Sequence, residues 1–283
     1  MSQVAFLGTG LLGSAMVERL LAQGEAVTVW NRTESKARAL EPLGASVAST
    51  AEAAVDGAGR VHIALAEDAA VDSVLRSVVL RLGRDAIVID HSTNAPARVL
   101  ERSARMSAAG VAFLHAPVFM SPPMARAAKG LMLVSGAAAT FEAVQPALAT
   151  MTADVWYLGE RPDLGAAYKL FGNAMLMTIV TGLADVLAMA GGLDIPALEA
   201  MKLFDRFQPG VAIPMRGDKM ARRDYSAMFE LVVARKDVGL MIDAAAGRPL
   251  AVLPGVAKRM DDAIRNGHGR DDLAAVAAEV VEP

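Results

Sequence analysis

The chain has 283 residues, of which 54% are hydrophobic and 21% are charged. Its formal net charge of −3 at pH 7 argues against a nucleic-acid coat or a polybasic membrane binder, since both need positive charge. It has no cysteine, which excludes disulfides, thiolate zinc sites and cysteine nucleophiles.

The N-terminal segment, residues 1–12, is apolar, but it contains glycines and has no basic flank. It therefore predicts a strand followed by a turn rather than a signal peptide. No uninterrupted apolar run reaches the roughly 18 residues that a membrane span requires. We expect a cytoplasmic protein that binds neither membrane nor nucleic acid.

Short apolar runs alternate with Ala-rich amphipathic segments up to about residue 162. This alternation predicts βαβ units and a mostly parallel sheet with helices on both faces. The predicted strands cover residues 4–7, 27–30, 61–66, 87–90, 111–113, 131–135 and 155–158. The predicted helices between them cover residues 11–22, 34–41, 69–80 and 97–108.

The strand pattern stops after residue 162. A long helix is predicted over residues 164–190, although three glycines weaken it. Further helices are predicted over residues 196–207, 229–246, 256–266 and 271–280. We therefore predict an α/β protein with a Rossmann-type, doubly wound NADP-binding domain at residues 1–162. An all-helical domain for substrate binding and dimerisation follows at residues 163–283, and the long helix joins the two.

The first chemical signal is a glycine-rich turn between the first predicted strand and the first predicted helix. Its GxGxxG motif consists of Gly8, Thr9, Gly10, Leu11, Leu12 and Gly13. Such glycines permit a tight turn, a close approach of a pyrophosphate, and packing of the helix against the strand. The free N–H groups of the helix then favour the phosphate charge. An ordinary βα turn is the alternative, but the strand–turn–helix context favours a dinucleotide site.

The end of the second predicted strand indicates which dinucleotide is preferred. NAD-selective sites usually place a carboxylate there, whereas this chain has Asn31, Arg32 and Thr33. A guanidinium suits a 2′-phosphate, so the pattern favours NADP(H) over NAD(H), with a solvated surface arginine as the alternative. Leu65 and Ala66, at the end of the third predicted strand, are further candidate cofactor contacts.

Two later segments carry candidate substrate groups. Ser92 and Thr93 follow the predicted strand 87–90, at the sheet edge where open α/β sheets bind ligands, unless they only cap the next helix. Lys169 and Asn173 are four residues apart and share one helix face. Apolar surroundings would lower the pKa of Lys169 toward that of an acid–base catalyst, although most helix lysines only lie at the surface.

Four segments in this order resemble the β-hydroxyacid dehydrogenase family: FLGTGLLGSAM at 6–16, DHSTNAP at 90–96, GAAYKLFGN at 165–173 and ARKDVGL at 234–240. The resemblance spans nearly the whole chain. It implies metal-free hydride transfer between the nicotinamide and the carbonyl or alcohol carbon of a small β-hydroxy acid or semialdehyde. This would be an activity like that of 3-hydroxyisobutyrate dehydrogenase, in a homodimer or homotetramer.

The resemblance also implies roles for individual residues. Lys169 is implied to be the acid–base group and Asn173 to orient the substrate. Thr93 is implied to contact the nicotinamide end of the cofactor and Ser92 the substrate. Lys236 is implied to lie over the site from the helical half of the chain.

Two departures from the family pattern concern the substrate. The family usually carries a Ser-Gly-Gly turn that helps to bind the substrate carboxylate, whereas this chain has Phe119, Met120 and Ser121 followed by two prolines. These prolines remove two backbone N–H donors. Gly172 replaces the first of two asparagines that are adjacent in many members. We expect Phe119, Met120 and Ser121 to contact a more apolar substrate, or one whose carboxylate is held elsewhere.

Two other functions remain open from the sequence. Imine reductases and reductive aminases share this architecture and have apolar pockets, but they usually place Asp or Tyr at the position of Lys169. A non-catalytic NADP-binding sensor would not need a desolvated lysine. The four histidines show no paired ligand spacing, so we do not expect a zinc site.

Overall fold

A computed structural model describes residues 3–281 of the chain. Its first half contains one sheet with the strand order β3-β2-β1-β4-β5-β6-β8-β7, and β9 pairs with β8. The strands are β1 (Gln3–Leu7), β2 (Val27–Trp30), β3 (Ser46–Val47), β4 (Ala58–Ile63), β5 (Ile87–Asp90), β6 (Ala112–His115), β7 (Val118–Phe119), β8 (Leu131–Ser135) and β9 (Asp154–Gly159).

The strands β1 to β6 are parallel, so their carboxyl ends meet at one edge of the sheet. β8 runs antiparallel to both β6 and β7, and β9 runs parallel to β8. This topology confirms the predicted, mostly parallel, doubly wound sheet. It also places the loops after β1, β2, β4, β5 and β6 at the edge where such sheets bind ligands.

Helices cover both faces of this sheet. They are α1 (Leu11–Ala22), α2 (Glu34–Arg38), α3 (Ala51–Val55), α4 (Asp68–Val78), α5 (Pro96–Ala108), α6 (Pro122–Arg126) and α7 (Ala138–Leu148). Successive residues of β1 face opposite sides, so Phe6 packs in one buried cluster with Leu20, while Leu7 packs in the other with Leu75. Burial on both faces explains why these strands are continuous apolar runs.

The described residues after β9 form helices and no further strand. The longest is α8 (Leu164–Gly192), followed by α9 (Ala197–Met201), α10 (Ala212–Ala221), α11 (Leu231–Ala244) and α12 (Leu253–Ala263), with 3₁₀ turns at Lys202–Asp205, Pro209–Val211 and Leu273–Ala277. The helices α11 and α12 bury Leu231, Val238 and Met260 between them. These elements confirm the predicted helical second half.

The chain divides into two compact units, one ending at Asn173 and the other beginning at Ala174. The division therefore lies several residues after the predicted boundary at residue 162. The reason is that the start of α8 packs on the sheet, where the Gly165 N–H donates to Ser135 Oγ at 3.0 Å. Lys169 and Asn173 consequently belong to the same unit as the glycine-rich turn.

Helix α8 is long and apolar enough to cross a membrane, judged by length and composition alone. The sequence expectation rested on uninterrupted apolar runs, which Lys169 and Asp185 break. Both side chains are held by protein groups within their own units. Lys169 Nζ donates to the Val118 carbonyl, and the Asp185 carboxylate accepts from three backbone N–H groups, those of Ala251, Val252 and Leu253.

Candidate active site

The glycine-rich turn joins β1 to α1 at the carboxyl edge of the sheet. Gly8 has a φ of +107°, a conformation that side chains disfavour, and a Cβ there would overlap the Ala64 carbonyl oxygen. A Cβ on Gly13 would overlap the Gly8 carbonyl oxygen. The fold itself therefore requires glycine at both positions.

Gly10 differs because a Cβ at this position would meet no protein atom within 4 Å. The residue lies at the start of α1, where no side chain caps the helix, and the adjacent Leu11 is 86% exposed. The open side of Gly10 and the uncapped N–H groups together fit the approach of a pyrophosphate. The residues present therefore fit a dinucleotide cofactor.

Asn31 connects this turn to the loop after β2. Its Oδ1 accepts a hydrogen bond from the Thr9 N–H at 3.0 Å, and its Nδ2 donates to the Thr33 carbonyl at 2.9 Å. Both ends of the amide are therefore occupied within the protein. A carboxylate in place of the amide could accept from Thr9 but could not donate to Thr33.

A cleft of about 320 Å³ opens beside Asn31. Its wall contains six residues that the sequence predicted as cofactor contacts, namely Asn31 itself with Gly10, Arg32, Thr33, Leu65 and Ala66. The wall also includes Trp30, Lys36 and Glu67, which sequence analysis missed. Lys36 could have been predicted as a cofactor contact from its spacing, since it lies four residues after Arg32. Arg32 is exposed and forms no ion pair among the described residues.

The loop after β5 is fixed through Ser92, which is buried. Its N–H donates to Asp90 Oδ1 at 2.9 Å, and its Oγ accepts from the Leu65 N–H at 3.0 Å. The serine hydroxyl thus ties this loop to the loop after β4. Thr93 is exposed at the same edge, so its side chain is available to a ligand. The implied roles of Ser92 and Thr93 remain predictions.

A buried ion cluster lies beneath the Ser92 loop. Arg102, which is 0% exposed, donates from Nε to Asp72 at 3.0 Å, from Nη1 to Asp90 at 3.3 Å and from Nη2 to Asp68 at 3.0 Å. Burial raises the pKa of the Asp90 carboxyl, while Ser92 and Arg102 oppose that shift. The sequence does not reveal this cluster, because its members are far apart along the chain.

Three buried histidines occupy neighbouring strand ends. His91 Nδ1 must donate to the Ala116 carbonyl, 2.8 Å away, because a carbonyl only accepts. His91 Nε2 then accepts from His62 Nδ1 at 2.9 Å, and His115 Nε2 donates to the Ser92 carbonyl at 3.1 Å. Burial lowers the pKa of both His91 and His115 to about 4, so both are neutral at pH 7. Their spacing in the sequence did not predict this association.

Lys169 reaches the chain segment just beyond β6. Its half-buried Nζ donates to the Val118 carbonyl at 2.8 Å and lies 4.0 Å from the centre of the Phe119 ring. No carboxylate within residues 3–281 lies within 4 Å of this nitrogen. Burial lowers the pKa of Lys169, which makes the amine a better proton donor than a surface lysine.

Of the other predicted substrate residues, Phe119 contacts this amine. Asn173 lies one helical turn after Lys169 and is half-buried. Phe119 and Met120 are half-buried, whereas Ser121 is exposed at the start of α6. Lys236 lies on α11 in the other unit, where its Nζ pairs with Asp237 at 3.0 Å. Its implied position over the site remains a prediction.

The chain is similar to proteins of known type over its full length. Residues 3–159, more than half of the chain, match the family described as the NAD binding domain of 6-phosphogluconate dehydrogenase. The chain is 30% identical to glyoxylate/succinic semialdehyde reductase 1 of Arabidopsis thaliana, and the match covers 98% of each protein. It is 29% identical to 3-sulfolactaldehyde reductase of Escherichia coli strain K12, over 99% of this chain and 96% of that protein.

A solved structure shares the fold. The imine reductase from Myxococcus stipitatus in complex with NADP⁺ superposes with a TM-score of 0.91 at 21% identity, over 98% of this chain and 99% of that one. At this level of identity the similarity establishes the architecture and not the reaction.

Proposed function

Because the chain belongs to the β-hydroxyacid dehydrogenase family, we propose that it transfers hydride between NADP(H) and a small β-hydroxy acid or semialdehyde-like substrate. The reaction would interconvert the carbonyl and alcohol forms of one substrate carbon, as 3-hydroxyisobutyrate dehydrogenase does. The observation that carries this proposal is the half-buried Lys169 amine, which has no carboxylate partner among the described residues and a lowered pKa.

The residues of the chain divide the chemistry between them. NADPH supplies a hydride from C4 of its nicotinamide when it is bound. The Lys169 ammonium donates a proton to the carbonyl oxygen of the substrate and is left as a neutral amine, which water then reprotonates. The hydrogen bond to the Val118 carbonyl holds Nζ in place during this transfer. In alcohol oxidation the neutral amine accepts the proton instead.

The preference for NADP(H) rests on the charge of the cleft wall. Arg32 and Lys36 supply two cations and Thr33 a hydroxyl, whereas Glu67 supplies one carboxylate. An arginine and a lysine together suit the two negative charges of a ribose 2′-phosphate. The residue that follows β2 is Asn31, whose amide is hydrogen-bonded to Thr9 and Thr33. The site therefore has no carboxylate there that could accept a hydrogen bond from a free ribose 2′-hydroxyl.

We further propose that the protein is a cytoplasmic homodimer, with a homotetramer as the alternative. The middle of α8 exposes large apolar side chains, including Phe171, Met177 and Val180. An exposed apolar face of this length would be unfavourable in water, and a second copy of the chain would cover it. Analytical ultracentrifugation should give twice the monomer mass for the wild type, and Met177→Lys should shift the equilibrium toward monomer.

The enzymatic proposal is tested by following NADPH oxidation with glyoxylate, small semialdehydes, ketones and cyclic imines. We expect turnover with carbonyl compounds, and loss of turnover in Lys169→Met at unchanged NADPH binding. Oxidation of NADPH by imines alone would identify an imine reductase instead. Tight NADPH binding without turnover of any compound would identify a binding protein or sensor.

A further inference from the structure

The ring of Phe119 lies between two residues of α8. One side of the ring faces Lys169, whose Nζ is 4.0 Å from the ring centre. The far edge of the ring lies against Gly172, where an added Cβ would overlap Cζ and lie 2.8 Å from Cε1. The two positions that depart from the family pattern, Phe119 and Gly172, are therefore in direct contact.

This contact makes the two departures interdependent. Any side chain at position 172 would have to displace the Phe119 ring, because even a single added Cβ would overlap it. The displaced ring would also leave Lys169, because the same ring contacts both residues. Phe119 thus requires glycine at position 172, and a small residue at 119 would leave a gap beside Gly172.

The segment around Phe119 offers little to an anion. Val118 and Phe119 are paired with β8, and Pro122 and Pro123 have no N–H group. The face of an aromatic ring carries partial negative charge, which attracts the Lys169 ammonium and repels a carboxylate. A carboxylate placed against the part of this ring that Lys169 does not cover would lose its hydration, and the ring would give it no hydrogen bond in return.

We propose that Phe119 and Gly172 are a matched, specificity-determining pair that forms an apolar wall beside Lys169. The wall selects carbonyl substrates that present a hydrocarbon group to it rather than a carboxylate. This inference rests on the proposed function and narrows its substrate class to carbonyl compounds with an apolar substituent. Phe119 is also a positioning residue, since its ring and the Val118 carbonyl together fix the Lys169 amine.

Substrate selection is tested with two aldehydes of matched chain length, butanal and succinic semialdehyde. We expect the wild type to have the higher kcat/KM for butanal. Phe119→Ser should move the ratio of the two kcat/KM values at least about tenfold toward the semialdehyde. Phe119→Leu is the matched control, because it keeps an apolar wall and should keep the preference. A wild type that prefers the semialdehyde, or a ratio that is unchanged in Phe119→Ser, would overturn the inference.

The positioning role of Phe119 has its own readout. The ring favours the charged form of Lys169, so Phe119→Leu should move the alkaline limb of the pH–kcat profile for reduction to lower pH. A mutation that only loosened the structure would lower kcat without moving this limb. An unmoved limb in Phe119→Leu would therefore contradict the positioning role.

The matching of the two residues can be tested without any substrate. Gly172→Asn should clearly lower the thermal unfolding midpoint when Phe119 is present, and should lower it much less in a Phe119→Ser background. Equal losses in both backgrounds would show that the residues are not matched. If the wild type reduces no carbonyl compound, the proposed function and the substrate selection both fail, while this unfolding cycle still decides whether Phe119 and Gly172 are coupled.

Discussion

The two halves of the candidate site are built in different ways. The glycine-rich turn is formed by backbone, where Gly8 and Gly13 permit close contacts with the Ala64 and Gly8 carbonyls that any side chain would block. The region around Lys169 brings distant segments together, since its amine contacts the Phe119 ring and donates to the Val118 carbonyl, 51 residues away. We therefore expect pyrophosphate binding to depend on backbone geometry, and the proposed proton transfer and substrate choice to depend on side-chain packing.

This difference predicts how each half tolerates change. Backbone-built sites lose binding when a methyl group blocks the ligand, and they are insensitive to most other substitutions. Side-chain-built sites can change their substrate through one or two exchanges while the fold persists. Chemistry and cofactor binding should accordingly be separable by mutation in this protein.

The largest separation is expected from Lys169→Met, which removes the proposed proton donor but keeps an apolar stem of similar length. We expect kcat for carbonyl reduction to fall by about 10²- to 10⁴-fold, the usual contribution of a general acid. The affinity for NADPH, measured by fluorescence titration, should stay within about twofold, because Lys169 is not expected to contact the cofactor. A tenfold loss of affinity would correspond to about 1.4 kcal/mol of lost binding free energy. A parallel loss of NADPH affinity would show that the two halves are not separable.

The next largest effect concerns the cluster beneath the Ser92 loop. Arg102→Met should lower the free energy of unfolding by about 3–5 kcal/mol, because it leaves the fully buried Asp90 without its cation, whereas Asp72 keeps its ion pair with Arg105. The matched control is Arg98→Met on the same helix, whose side chain is 50% exposed and should contribute about 1 kcal/mol or less. Urea unfolding of both variants measures the difference, and equal losses would argue against a structural role for the cluster.

Two glycine variants test the cradle directly. Gly13→Ala should destabilise the fold by about 1–3 kcal/mol, because its methyl group would meet the Gly8 carbonyl. Gly10→Ala should leave the unfolding midpoint unchanged, since a Cβ there meets no protein atom within 4 Å, and should weaken NADPH binding. Full NADPH affinity in Gly10→Ala would contradict the assignment of the open side of Gly10 to the pyrophosphate.

Lowering the pH should have a smaller effect on the stability of the fold. His91 and His115 are neutral in the folded state with pKa values of about 4, whereas histidine in an unfolded chain titrates near 6.5. The unfolded state therefore binds more protons between these values, and stability should fall as the pH drops from about 6.5 toward 4. By pH 5 each histidine should cost roughly 1–2 kcal/mol. His115→Gln should weaken this dependence in urea titrations at several pH values.

The smallest effect concerns the choice between the two dinucleotides. Arg32→Ala should weaken NADPH binding about tenfold, as expected for one charge-assisted contact to a phosphate, and should leave NADH binding nearly unchanged. Lys36→Ala should act in the same direction. Equal losses for NADPH and NADH in both variants would show that these cations do not contact the 2′-phosphate.

The sequence predicted the elements whose signal is local. The bounds of β2, β5, β8 and α1 agree with the predictions, because apolar runs and the glycine-rich turn define them within a few residues. The two-residue strands β3 and β7 were missed, since two residues carry no periodicity. Helix α7 was not predicted, and it contains Pro146, which normally argues against a helix interior.

The candidate site was predictable to a similar extent. The cradle residues and Lys169 could be found from motifs, because the residue types and their spacing carry the chemistry. The contacts of Arg102 with Asp68, Asp72 and Asp90 depend on the order of the strands, which the sequence does not display. The contact of Phe119 with Gly172 is equally non-local. The sequence revealed both departures from the family pattern but not that they touch.

The most direct test of the reaction is the transfer of deuterium from NADPH labelled at both C4 positions to a carbonyl substrate in a single turnover. We expect the wild type to place the label on the product carbon. Lys169→Met, saturated with the same NADPH, should do so at least about a hundredfold more slowly. Transfer at the wild-type rate in Lys169→Met, or reduced product without the label, would contradict the assignment of Lys169 as the proton donor in a hydride-transfer enzyme.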